Sequence, residues 1–205
     1  MGSRPQVLVI ACGALAREIA ALRRANDWPH LDVQCLPANL HNHPRRIPGA
    51  VREKIRASRD RYASIFVAYG DCGTGGELDA MLAEEDVERI PGAHCYEFFA
   101  GGDTFAALAL AEPGTFYLTD FLLRHFDRLV IRGLGLDRHP ELFAQYFGNY
   151  RRLVYLAQLE VPERLAAARA AADRLGLAFL HRITGYGELQ RSLRAAADPV
   201  PVWRS

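Results

Sequence analysis

The chain has 205 residues, half of them apolar, with 25 basic and 24 acidic side chains and a formal net charge of +1. That length and apolar content favour one folded domain with a substantial core and exclude a disordered chain. The near-neutral balance gives no long-range field of the kind that nucleic acid or an anionic membrane would answer, so neither is an expected partner.

The start, Met1 to Pro5, leads into an apolar stretch too short to span a membrane and soon followed by charge, so neither a signal peptide nor a membrane helix is expected. A cytoplasmic location follows as an expectation, and there the four unevenly spaced cysteines stand as metal ligands, catalytic groups or buried side chains rather than disulfides. Lys54 is the only lysine, which leaves no obvious Schiff-base or P-loop lysine.

In chain order, a strand is predicted over 6–12, and Gly13 opens a helix whose apolar residues Leu15, Ile19 and Leu22 recur at three- and four-residue spacing. A second strand over 31–36 leads through the loop 37–44 into a helical stretch at 47–59 around Val51 and Ile55. The third strand, 63–68, breaks at the glycine-rich run 70–76 before a helix at 77–83, and a fourth strand over 87–90 ends in Pro91-Gly92. Next, 96–112 reads as helical with an interruption at Gly101-Gly102, 114–120 as a short strand or helix entry, and 120–126 as a helix. Residues 137–150 read as a helix with Asp137 as cap and an early Pro140. A strand at 152–159, an Ala-rich helix at 162–175 stopped by Gly176, and a strand at 177–183 complete the series. Strands alternating with helices predict a single α/β domain over 1–195, an open and mainly parallel sheet flanked by helices, with 196–205 as a C-terminal tail.

Parallel α/β sheets bind ligands at the carboxyl ends of their strands. Cys12 and Cys72 end strand runs, Cys95 follows another, and His41 lies just beyond the run that contains Cys35. Four such side chains are candidates to converge although they are distant in sequence. In Tyr69-Gly70-Asp71-Cys72-Gly73-Thr74-Gly75-Gly76 the glycines free backbone amides, so Gly73, Thr74, Gly75 and Gly76 are expected to form a nest for an anionic substrate group. A helix start just after the nest is expected to lower the pKa of Cys72. The plainer alternative is a glycine-rich turn with a buried thiol. Neither a Walker lysine nor the glycine spacing of a dinucleotide fingerprint accompanies it.

In His94-Cys95-Tyr96-Glu97 the adjacent histidine and cysteine cannot easily face one ion, so one ligand is taken from the pair. With His41 and Cys72, Cys95 completes a nitrogen and two-sulfur set that suits zinc and leaves a fourth position, which Cys12 would fill or guard. In Leu40-His41-Asn42-His43 the preferred ligand is His41, against the commoner role of a loop histidine as a surface or capping group. Asp71, Glu97 and Asp120 are candidates to handle protons or to support the ligands. Helix capping is the competing reading for Asp120 and Asp137. The aromatic clusters 146–150 and 185–187 suit a pocket lining or plain core packing.

Taken together, Val9-Ile10-Ala11-Cys12-Gly13, Leu40-His41, Tyr69-Gly70-Asp71-Cys72-Gly73, His94-Cys95 and Gly114-Thr115-Phe116-Tyr117-Leu118-Thr119-Asp120 resemble the DUF1638 family of uncharacterised proteins over nearly the full chain. The resemblance singles out His41, Cys72 and Cys95. It implies a one-carbon context beside corrinoid-dependent methyltransferase systems, with a corrinoid protein or methyltransferase as partner and a small-molecule substrate. On that footing, zinc on those three side chains would present a thiolate for methyl transfer. The corrinoid-binding motif Asp-x-His-x-x-Gly is absent, so direct cobalamin binding in that mode is not expected. Two other classes stay open: a non-catalytic metal or corrinoid accessory protein, and a metal-free cysteine enzyme with Cys72 as nucleophile and His41 or His94 as base.

Overall fold

Every residue from Val7 to Cys12 is buried, a pattern that belongs to a strand paired on both edges and covered on both faces. A computed structural model describes residues 6–198 of the protein, so Met1 to Pro5 and the segment 199–205 lie outside the described residues. The elements run β1 (Val7–Cys12), α1 (Ala16–Ala25), β2 (Leu31–Leu36), α2 (Ile47–Arg56), β3 (Ser64–Ala68), α3 (Glu77–Glu85), β4 (Glu88–Arg89), α4 (Cys95–Ala100) and α5 (Gly102–Ala111). They continue with β5 (Thr115–Thr119), α6 (Asp120–Arg124), α7 (Phe143–Phe147), β6 (Arg152–Ala157), α8 (Pro162–Leu175), β7 (Ala178–Ile183) and α9 (Gly187–Ala197). All strand pairings among the described residues are parallel. The fold is α/β, mainly parallel and flanked by helices, as the alternation of patterns predicts, but its strands form two sheets rather than the one open sheet expected.

The chain divides into two compact units, one from residues up to Phe98 together with Tyr186 onward, the other from Phe99 to Gly185. The first holds a sheet in the order β2-β1-β3-β4. From β1 the chain steps to one side to make β2, then crosses to the other side to make β3. The crevice between the carboxyl ends of β1 and β3 is therefore the switch point at which such sheets receive ligands. Register is fixed by apolar pairs such as Val9 with Val33 and Phe66. Helix α2 buries Ile47, Val51 and Ile55 completely, one face at a four-residue spacing.

Helix α9 has no counterpart in the sequence reading. It buries Leu189, Leu193 and Ala197, and the His30 ring meets the Ala197 carbonyl at 2.9 Å while Arg194 donates to Asn26 at 3.2 Å. The part of the expected tail at 196–197 thus belongs to a helix.

The second unit holds β5-β6-β7 in that order, with Leu118, Leu153, Tyr155, Ala168 and Ala172 in its core. Phe116 meets Phe147 and Tyr150 edge-on at 5.6 and 5.7 Å. Core packing therefore accounts for Phe147 and Tyr150 in the 146–150 cluster, and Tyr146 is exposed. The predicted helix at 96–112 is two helices, α4 and α5, parted at Gly101, whose φ of 81° is readily adopted only by glycine. The helix predicted at 137–150 shortens to a 3-10 turn, Pro140–Leu142, and α7. Thr119 caps α6 by accepting from the Leu122 amide at 3.4 Å. Among the described residues no helix is long and apolar enough to cross a membrane.

Candidate metal and thiol site

Four chain segments deliver one side chain each to the β1/β3 crevice. Cys12 is the last residue of β1 and is buried, and its sulfur accepts from the Ala14 amide at 3.4 Å as the chain turns into α1. That turn is possible because Gly13 has no Cβ: one built there would stand 2.9 Å from the Leu36 carbonyl oxygen at the end of β2. His41 comes from a 3-10 turn, Ala38–Asn42, just after β2. Its Nδ1 lies 3.6 Å from the Cys12 sulfur.

Cys72 and Cys95 arrive on two loops that are clipped together. The amides of Asp71 and Cys72 donate to the carbonyls of Gly92 and Ala93 at 3.2 and 2.8 Å, which continues the β3–β4 ladder past the strands. Gly70 permits this approach, since a Cβ there would stand 3.0 Å from the Ala93 oxygen and 3.1 Å from the His94 Cα. Arg89 braces the second loop from inside, donating to the carbonyls of Ile90 and Gly92 at 2.8 and 3.0 Å while its other nitrogens grip Asp79. Cys95 begins α4.

Cys12, His41, Tyr69, Cys72, Cys95 and Phe98 line one cavity of about 10 Å³. A space of that size is about one water molecule or one ion, not an organic substrate. Among the described residues no three His, Cys, Asp or Glu side chains stand in ready-made metal-binding geometry. The four donors line the cavity, and two of them, Cys12 and His41, are in contact.

Burial dominates the electrostatics. It pushes the Cys12 thiol up to about 12 and Cys72 up to about 11, and it raises Cys95 as well. The three sulfurs also disfavour one another's ionisation: Cys72 raises Cys12, and both raise Cys95. His41 is held below its ordinary value by burial, against an opposing hydrogen bond with the Ala38 backbone, and His94 adds to the lowering. At neutral pH the cluster is three thiols and an uncharged imidazole. The expectation that a helix start lowers the pKa of Cys72 is reversed. Helix α3 begins only at Glu77, too far along the chain for its terminus to offset the desolvation of the sulfur.

The expected anion nest is occupied by the chain itself. Asp71 accepts from the amides of Gly73, Gly75 and Gly76 at 3.2, 3.2 and 2.8 Å and from the Thr74 hydroxyl at 2.5 Å. The Thr74 hydroxyl first, then these amides, hold its carboxyl down at about 2. Glu97 likewise turns back on its own loop and accepts from the Ala93 amide at 2.8 Å. Asp120 belongs to the second unit, where it accepts from Tyr155 at 2.6 Å and from Arg164 at 2.5 Å. His94 is not among the residues lining the cavity, and Cys35 is exposed on β2.

The residue that sequence reading passed over is Tyr69. It is 1% exposed, it lines the cavity, and its buried hydroxyl reaches toward the Cys12 sulfur without a well-formed hydrogen bond. Its place at the end of an apolar strand, just before Gly70, was the available signal.

The fold and the site together define an α/β protein with a cysteine- and histidine-lined crevice at the switch point of its first sheet. The chain belongs to the DUF1638 family, described as "Protein of unknown function (DUF1638)", which it matches over residues 35–193. No curated protein and no solved structure matches it.

Proposed function

We propose that the first unit is a metal-binding module whose ligands are Cys12, His41, Cys72 and Cys95, with zinc as the metal. The observation that carries this reading is the convergence of four soft donors from four chain segments on one ion-sized cavity. The 3.6 Å between the Cys12 sulfur and His41 Nδ1 equals the roughly 3.6 Å that separates sulfur and nitrogen across a tetrahedral zinc with ordinary bond lengths. A neutral imidazole is the form that binds metal. Bound zinc would supply the positive charge that keeps buried sulfur ionised at neutral pH.

The chemistry suited to such a centre is thiolate chemistry on a small thiol or methylated one-carbon substrate, with a corrinoid-linked methyltransferase system as its setting. For that activity one of the four donors has to leave a position open to substrate; with all four engaged, the protein serves as a non-catalytic metal-carrying partner. The metal-free cysteine enzyme draws no support from this site, because buried thiols with pKa values near 11 and 12 are poor nucleophiles at neutral pH.

The test is metal content by mass spectrometry of full-length protein purified without a histidine tag or added metal. Close to one zinc per chain is expected, lost in Cys72→Ser and Cys95→Ser while circular dichroism stays unchanged. Protein that carries no metal, and takes up none from zinc or cobalt solutions under reducing conditions, overturns the reading.

A further inference from the structure

A buried tyrosine ordinarily satisfies its hydroxyl, because a phenol in an apolar setting gives up its water without return. Tyr155 in the second unit follows that rule by donating to Asp120. Tyr69 does not: it is equally buried, and its hydroxyl makes no well-formed hydrogen bond, only a weak contact with the Cys12 sulfur in the cavity wall. A thiol is a weak acceptor and offers the phenol little, whereas a thiolate is a strong one. The hydroxyl thus stands beside a sulfur that becomes a strong acceptor once it is a metal ligand.

We propose that Tyr69 is a positioning residue of the metal centre, its hydroxyl donating to the Cys12 thiolate when metal is bound. This rests on the zinc reading above and deepens it. Supports of this kind around metal ligands change affinity by roughly 10- to 100-fold when removed. The structure adds a consequence that a purely packing role would not produce. In metal-free protein the buried hydroxyl has only a weak thiol contact to lose, so Tyr69→Phe should cost that form nothing while weakening the loaded one.

The experiment compares wild type and Tyr69→Phe as full chains, with cobalt(II) as the spectroscopic probe and zinc competition for affinity. Expected are a sulfur-to-cobalt charge-transfer band shifted to lower energy in the variant, because its Cys12 thiolate has lost a donor, and zinc affinity at least about tenfold weaker. The melting temperature of the chelated variant should equal or exceed that of wild type. An unchanged band with unchanged affinity overturns the role of Tyr69 and leaves the metal site standing. A lowered melting temperature without metal reduces Tyr69 to a packing residue and also overturns it. If wild type itself shows no cobalt band, the zinc reading fails, and the role of Tyr69 falls with it.

Discussion

Cys72 carries a φ of +50°, left-handed backbone in which a side chain other than glycine, asparagine or aspartate is uncommon. The chain adopts it where the loop after β3 must turn its thiol into the crevice while its amide pairs with Ala93. Strain of this kind persists only where the surroundings impose it. Cys72→Gly is expected to remove the thiol at little cost to the metal-free fold, within about 1 kcal/mol of wild type, because relief of the left-handed strain offsets the lost packing. Cys72→Val, similar in size but branched at Cβ, should cost about 1–3 kcal/mol more than the glycine variant. Urea unfolding in the presence of chelator measures both, and equal stability of the two variants would contradict the strain. Gly70 gives the opposite case, since its missing Cβ is what lets the two cysteine loops touch. Gly70→Ala should destabilise by about 1–3 kcal/mol, because the atoms it meets are backbone and cannot rotate away, and it should raise the labelling rate of Cys72 and Cys95 by iodoacetamide. Unchanged labelling would show that the loops do not need this contact.

At the level of the element, the turn 71–76 shows how far a motif can be read without coordinates. Its glycines and its place after a strand were legible, since both are local properties of the chain. That Asp71 would fill the nest was not, because the outcome depends on the positive φ angles of Cys72, Gly73, Gly75 and Gly76, which aim three amides at one carboxylate. The turn holds the Asp71 carboxyl at about 2 through the Thr74 hydroxyl and these amides. Its folded value lies below the ordinary carboxylate value near 4, so the unfolded chain binds the proton more tightly. The turn's contribution is therefore fully present above pH 4 and is lost as the pH falls from about 4 to about 2. Arg89, Asp79 and His94 also interact with Asp71, but of these only Asp79 titrates near that window, and it is present in both proteins to be compared. Asp71→Asn should accordingly flatten the loss of urea midpoint between pH 4 and pH 2. A slope identical to wild type would mean that the carboxylate contributes nothing to the folded state.

For the molecule as a whole, the alternation of strand and helix patterns was legible because periodicity is carried by neighbouring residues, and it led to the α/β class. Which strands share a sheet was not. Nothing local in 115–119 or 178–183 says that they pair with β6 rather than with the first four strands, nor that the chain leaves the first unit after Phe98 and returns at Tyr186. Helix α9 was hidden for a similar reason. Its apolar residues acquire meaning only against the rest of the first unit, and the glycines at 185 and 187 punctuate the sequence like a loop. The same topology orders the stability of the strands. β1 and β6 are each paired on both edges and buried almost throughout, whereas β2 and β7 are edge strands with exposed positions. Amide exchange of a central strand requires opening of the whole unit, while an edge strand can detach by a smaller fluctuation. The slowest-exchanging amides in native-state hydrogen exchange should therefore fall in Leu8 to Ala11 of the first unit and in Leu153 to Leu156 of the second, with β2 and β7 exchanging faster by at least roughly tenfold. Protection in β7 equal to that in β6 would show that the outer edge of the second sheet is covered in solution, and would contradict its assignment as a free edge.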